Sequence, residues 1–200
     1  MNKRVEIIEK TTAYKGFFRL DKYRLRHSLF AGGDSQVLVR ELFERGHAVG
    51  VLPYDPVRDE VVLVEQFRIG ALEAPQGPWL LEIIAGMIED GELPEQVAHR
   101  EAAEEAGCKL EDLVPIARYF SSPGGSSEQV SVFCARASSE GLGGIHGEPS
   151  EGEDIRVHVL SFDEAMALLE SGGINSALPI IALQWLALNR ERLRADWGAV

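Results

Sequence analysis

Apolar positions along the first fifty residues come in short runs broken by polar and turn-forming residues. This pattern predicts strands over residues 5–8, 17–26 and 36–43, with a turn near 31–34. The segment is too poor in apolar side chains to build its own core, so it is expected to pack on the rest of the chain or on a second subunit. Runs at 49–53 and 61–66 flank the turn formers Asp55, Arg58 and Asp59 and predict a hairpin. A further strand is expected over 79–84, ending at Ala85-Gly86. Residues 94–106 read as a helix, with Pro94 at its first position and Gly107 as its left-handed stop. Strands follow at 117–120, 130–135 and 155–160, then helices at 162–170 and from about 179 to 195. The expected class is mixed α and β, here denoted α/β (α+β).

Composition narrows what such a chain does. Two hundred residues, 45% hydrophobic and 26% charged, suit one large domain or a domain with an appendage, and exclude a disordered, collagenous or coiled-coil chain. The 20 basic and 32 acidic residues leave a net charge of −12. Such a surface repels phosphate backbones and anionic lipid, so neither nucleic acid nor membrane is an expected partner. An anionic substrate would need a cation to mediate, and a bound metal is the obvious one. Cys108 and Cys134 have neither CxxC nor zinc-ligand spacing and read as small buried hydrophobes. The first ten residues carry charge where a secretion signal needs an apolar stretch. No apolar run approaches the roughly 18–20 residues that cross a bilayer. The expected compartment is the cytoplasm.

The informative stretch runs from Gly86 to Cys108. Glu101 and Glu105 lie four residues apart on one helix face, and Glu104 lies three from Glu101. Like charges at this spacing repel, and the last helical turn disfavours anions. A solvated acidic face is the ordinary reading; a hard divalent cation between the carboxylates is the alternative, and spacing alone does not choose.

The whole pattern resembles the signature of the Nudix hydrolases: Gly, five residues, Glu, seven residues, Arg-Glu, an aliphatic residue, any residue, Glu-Glu, any residue, Gly, an aliphatic residue. Gly86, Glu92, Arg100, Glu101, Glu104, Glu105 and Gly107 all match. At typical residue usage, a chance match is on the order of one in a million. Ala102 and Cys108 hold the aliphatic slots, and Leu93 stands where a helix N-cap usually has a hydroxyl or Asx. The resemblance implies a Nudix α/β/α sandwich, here with a small N-terminal antiparallel β subdomain over residues 1–48 and the hydrolase domain over 49–200. It implies two or three Mg²⁺ ions, with Mn²⁺ as an alternative, held by Glu101, Glu105 and the carbonyl of Ala85. Glu104 would bind through water, and Glu92 and Arg100 would pair to hold the loop on the helix.

Pro123, in Ser121-Ser122-Pro123-Gly124-Gly125, lies sixteen residues after Gly107. That offset resembles the ADP-ribose pyrophosphatase subgroup, and the likeness extends over most of the chain. It implies a homodimer that hydrolyses ADP-ribose or a related nucleoside-diphosphate sugar. Residues 144–154 read by themselves as a mobile surface loop. The resemblance makes Glu151 the general base, with Glu148 as fallback, and Glu153 a further metal ligand. It places Phe17 and Phe18 near adenine, and Arg40 and Glu41 at the adenosine end from the second subunit. Arg45 and Arg68 suit phosphate or stacking contacts. Met87, Ser122, Pro123, Gly124 and Glu128 would line the terminal ribose. Without the resemblance, Phe17 and Phe18 read as core and the arginines as solvated charges. The rival readings are a GDP-mannose pyrophosphatase, a non-catalytic ADP-ribose-binding module and a metal-buffering acidic protein.

Overall fold

The computed structural model describes residues 3–148 and 152–198. The chain divides into two compact units, residues 1–47 with 119–130, and residues 48–118 with 131–200.

The first unit is built on an antiparallel meander of β1 (Val5–Lys15), β2 (Arg19–His27) and β3 (Leu38–Glu44), in that order. β1 is eleven residues long rather than the four its apolar run predicts. Its Lys and Thr positions are polar yet strand-compatible, and backbone pairing to β2 carries the strand past the apolar run. Every residue of β1 is exposed, and among β1, β2 and β3 the one buried side chain is Asp21. That carboxylate accepts from Thr12 Oγ1 at 2.9 Å and Arg19 Nε at 3.0 Å, and lies 3.0 Å from Lys10 Nζ, tying β1 to β2 by charge rather than by apolar packing.

The second unit holds the core. Its strands are β4 (His47–Asp55), β5 (Glu60–Phe67), β6 (Trp79–Glu82), β7 (Ile84–Ile88), β8 (Leu113–Phe120), β9 (Gln129–Arg136), β10 (Gly144–His146) and β11 (Ile155–Ser161). They run in the order β10-β11-β5-β4-β9-β8, with β6 on β5 and β7 on β4; the tip of the β8–β9 hairpin belongs to the first unit. The period-two alternation sorts the faces. Val49, Val51, Val62, Val64 and Ile84 pack with Val97, Ala98, Ala102 and Ala106 of α1 (Pro94–Ala106). On β4 the alternate residue Gly50 meets the segment of α3 (Ala177–Asp196): a Cβ there would lie 2.8 Å from Leu178 Cδ2. α2 (Phe162–Ser171) begins with a capping box, in which Ser161 Oγ accepts the N–H of Glu164 at 3.3 Å and Glu164 takes the N–H of Ser161 at 2.9 Å. This is the α/β/α sandwich expected, with α1 on one face and α3 on the other.

Two differences have local causes. The strand expected over 79–84 is two, β6 and β7, with Ile83 between them, so that one pairs with β5 and the other with β4. Residues 144–146, read as the start of a mobile loop, form β10 on β11, with Gly144 opposite Val157 and His146 opposite Ile155. Three residues beginning with glycine leave no strand signature in sequence.

The turn between β4 and β5 carries two acidic anchors. The buried Asp55 accepts the N–H of Val57 at 2.9 Å, of Arg58 at 3.0 Å and of Ser139 at 2.9 Å, as well as Ser139 Oγ at 3.0 Å. Asp59, held at φ 59°, accepts from Tyr54 Oη at 2.6 Å and from Arg190 Nε at 2.8 Å, with Arg194 Nη1 at 3.1 Å, which ties α3 to the hairpin. Burial raises the Asp55 pKa, but the hydrogen bonds from Ser139, Arg58 and Val57 outweigh it and hold it below 3.8. Its stabilisation is therefore full above that value and is lost as pH falls through the depressed folded value. Asp55→Asn should lower stability by about 1–3 kcal/mol at pH 6. In denaturant titrations repeated down to pH 3, the gap between the two proteins should narrow below about pH 4.

Candidate active site

The second unit builds its site where β7 meets α1. The helix starts at Pro94 without a hydroxyl cap; instead Gln96 Oε1 takes the N–H of Leu93 at 3.1 Å. It stops at Gly107, in the left-handed region at φ 57°, with the N–H of Cys108 donating to Ala102 O at 2.8 Å. These ends fix which residues face β7. Glu101 lies directly over Gly86, where an added Cβ would be 1.8 Å from Glu101 Oε1. Only a residue with no side chain allows that approach. One turn further along the helix, Glu105 Oε2 accepts the backbone N–H of Ala85 at 3.1 Å.

Arg100 gathers the remaining carboxylates. It donates to Glu101 Oε1 at 2.8 Å and Glu104 Oε2 at 3.2 Å, and its Nε lies 3.4 Å from Glu92 Oε1. Glu92 in turn accepts the N–H of Glu89 at 2.9 Å, which holds the segment after β7 against the helix. Glu104 is half-exposed, whereas Glu105 is buried. Burial pushes Glu105 up to about 8; the Ala85 N–H works against this, while Glu101 adds to it, Arg68 subtracts and Glu153 adds again. Burial also raises Glu101, with Arg100 opposing and Glu104 and Glu153 adding. Glu153 thus stands close enough for both carboxylates to feel its charge. It is positioned by a reciprocal turn: its N–H donates to Glu148 O at 3.3 Å and its Oε2 accepts the Glu148 N–H at 3.2 Å. Glu151 lies outside the described residues.

Arg68, just after β5, donates from Nε to Glu82 Oε2 at 2.6 Å rather than standing as a free cation. Met87 is partly exposed on β7. Glu82 and Gln66, both buried polar residues of this unit, carry no motif and were not singled out by sequence reasoning.

Does the donor set suit a hard cation? Its ligating atoms are all oxygen, two of its carboxylates are pushed toward protonation by burial and mutual repulsion, and a divalent ion would reverse both effects. The residues fit. Among the described residues no three His, Cys, Asp or Glu side chains are already gathered as a metal-holding group, because Glu101 rests on Arg100 and Glu105 on a backbone N–H.

The remaining candidates lie in the first unit. Phe17 is 87% exposed and meets the ring of Phe18 edge-on at 4.8 Å. Phe18 packs on Phe43 at 5.2 Å and lies under the Arg45 guanidinium at 5.5 Å. Arg45 Nε is 3.1 Å from Oε1 of the buried Glu128. Arg40 and Glu41 stand exposed on β3. The turn at Ser122, Pro123 and Gly124 is closed by the N–H of Gly125 on Ser122 O at 3.1 Å. The N–H of Phe43 on Gly125 O at 2.7 Å then fastens it to β3. An aromatic pair, a guanidinium over one ring and a fixed turn are thus assembled within this unit.

A glycine under a helical glutamate, a buried carboxylate one turn further on and an arginine bracing the neighbouring carboxylates make a helix-borne, oxygen-rich group on an α/β/α sandwich that suits a cation. The chain belongs to the Nudix family: a NUDIX domain matches residues 44–182. An ADP-ribose pyrophosphatase of Escherichia coli (strain K12) is 52% identical over 194 residues, covering 97% of this chain and 93% of that one. A GDP-mannose pyrophosphatase of Pectobacterium atrosepticum is 32% identical, covering 92% of this chain and 94% of its own. A crystal structure of an ADP compounds hydrolase superposes with a TM-score of 0.70 at 24% identity over 98% of this chain and 97% of its own, a likeness of fold. Among the described residues no helix is long and apolar enough to cross a membrane.

The raised Glu105 pKa has a measurable consequence in metal-free protein. A carboxyl whose folded value exceeds its unfolded value stabilises the fold below the unfolded value, here 4.5, and loses that contribution as pH rises through about 8. Glu105→Gln should therefore melt a few °C above wild type at pH 8.5 in chelator, with the difference closing toward pH 5. Differential scanning fluorimetry at both pH values checks the sign.

Proposed function

We propose that this chain is a Mg²⁺-dependent hydrolase that splits the diphosphate of ADP-ribose into AMP and ribose 5-phosphate. The observation that carries the reading is the pair Glu101 and Glu105, brought onto Ala85-Gly86 by a complete Nudix signature. The 52% identity to an ADP-ribose pyrophosphatase across nearly the whole chain supports the substrate. Bound magnesium, as two or three ions (or Mn²⁺ in its place), would supply positive charge to the diphosphate and to the attacking water. Glu101, Glu105, Glu153 and the carbonyl of Ala85 would hold it, with Glu104 contributing through water.

Glu151 takes a proton from the attacking water, with Glu148 as the alternative base. The water oxygen forms a bond to one phosphorus, the bridging P–O bond breaks, and the bridging oxygen leaves with the other phosphate. Arg100 and Glu92 keep the helix and the preceding loop in place. Arg45 and Arg68 contact phosphate. Phe17 and Phe18 receive the adenine, and Met87, Ser122, Pro123, Gly124 and Glu128 the terminal ribose. In this reading residues 1–48 form a subdomain for dimerisation and adenosine contact, and residues 49–200 the hydrolase domain. A homodimer is supported by β1, exposed along all eleven residues with Val5, Ile7 and Tyr14 in the open. Arg40 and Glu41 would then reach the adenosine from the second subunit. Two free, buried cysteines suit a reducing cytoplasm.

Purified protein incubated with ADP-ribose should yield AMP and ribose 5-phosphate only when millimolar magnesium is present. GDP-mannose and NADH run beside it should turn over more slowly. Faster cleavage of GDP-mannose would move the chain toward the function of its 32%-identical relative. Tight ADP-ribose binding without turnover would favour a binding module, and ion binding without nucleotide affinity a metal buffer. Glu101→Gln and Glu105→Gln should each lose about 100-fold or more in kcat, the upper end of what losing a group that merely supports a ligand costs. Sedimentation velocity should give twice the chain mass.

A further inference from the structure

Gln66 is buried, yet its Nε2 has no hydrogen-bond partner among the described residues. Buried amide donors are nearly always paired, so an unpaired one calls for a physical reason. Its position supplies one. Alternation along β5 puts Gln66 on the face of Val62 and Val64, the face that packs under α1. In the β5–β6 register Val64 stands opposite Glu82 and Gln66 opposite Leu80. Glu82 is therefore on the same face as Gln66 and is its diagonal neighbour, a separation long side chains can bridge. The backbone stays extended at Arg68, with φ −128° and ψ 109°, so Arg68 also belongs to this face.

Glu82 is the group that needs care. Its side chain is only 12% exposed, whereas that of its partner Arg68 is 41% exposed. If Arg68 swings to a phosphate, a buried carboxylate is left without a donor, which is costly. We propose that Gln66 is a positioning residue for Arg68. Its amide takes over as donor to Glu82 when the guanidinium turns to a diphosphate, so the arginine is free to leave without stranding the carboxylate. A neutral amide holds a carboxylate less tightly than a guanidinium does, so Arg68 keeps Glu82 in the absence of ligand. The same exchange removes the unpaired donor that the ligand-free state tolerates. This inference rests on the reading of Arg68 as a phosphate contact.

The test compares full-length wild type, Gln66→Leu, Arg68→Ala, Glu82→Gln and the Gln66→Leu/Glu82→Gln double variant with ADP-ribose and magnesium. Gln66→Leu should leave the ligand-free Tm unchanged or raise it, raise KM about tenfold and move kcat less than twofold, since it withdraws a donor used only with ligand bound. In the Glu82→Gln background, where no charge is stranded, the Gln66→Leu effect on KM should vanish. A residue that merely packs would act equally in both backgrounds, and a donor already engaged without ligand would lower the ligand-free Tm when removed; either outcome overturns the proposal. So does an unchanged KM in Gln66→Leu when Arg68→Ala raises it. An unchanged KM in Arg68→Ala removes the phosphate reading of Arg68 and this inference with it.

Discussion

Negative charge concentrated on one face of a thirteen-residue helix is the constraint around which the second unit is arranged. Glu101, Glu104 and Glu105 repel one another, and burial of Glu105 makes its ionised form costlier still. Arg100 answers part of this by reaching Glu92, Glu101 and Glu104 at once. The bareness of Gly86 answers another part, by letting Glu101 lie flat on the strand. What these leave uncompensated is the capacity for a cation. A chain of net charge −12 repels anions unless a cation intervenes, so the local electrostatics of α1 and the charge of the whole molecule point the same way.

The two units are stabilised differently. In the second, apolar side chains from α1 and the sheet are withdrawn from water, which supplies the main driving force and gives the carboxylates a rigid floor. In the first, the strands are tied by backbone pairing and by the Asp21 cluster, and large apolar side chains such as Phe17 and Phe30 remain exposed. Aromatic rings left in water on a small sheet are suited to stack on something planar, and fixed carboxylates over a packed core to hold something charged.

What was legible in the sequence followed the strength of each local signal. α1 could be read to its ends because Pro94 and Gly107 punctuate it, and the glutamates because their spacing belongs to a fixed motif. β1 was read as four residues because its later positions are polar, and pairing partners cannot be seen from one strand. β10 was missed because a three-residue edge strand beginning with Gly144 has no periodicity to detect. Glu82 and Gln66 were missed for a different reason. Their meaning depends on the β5–β6 register, in which residues sixteen apart in sequence become neighbours, and no spacing rule along the chain encodes that.

The Asp59 anchor bears on how the molecule is made. Its hairpin closes early and locally, from residues a few positions apart, but the guanidinium that neutralises it lies 131 residues further along. Until α3 is synthesised, that carboxylate has Tyr54 and water as partners, and the two arginines that hold it in the finished fold are still missing. The sheet's outer face is then locked only once α3 has been translated and has docked. Such a long-range clasp slows the final step, since ordering that much chain precedes the reward. It also makes completion of this unit a single event, withheld until its last helix is present.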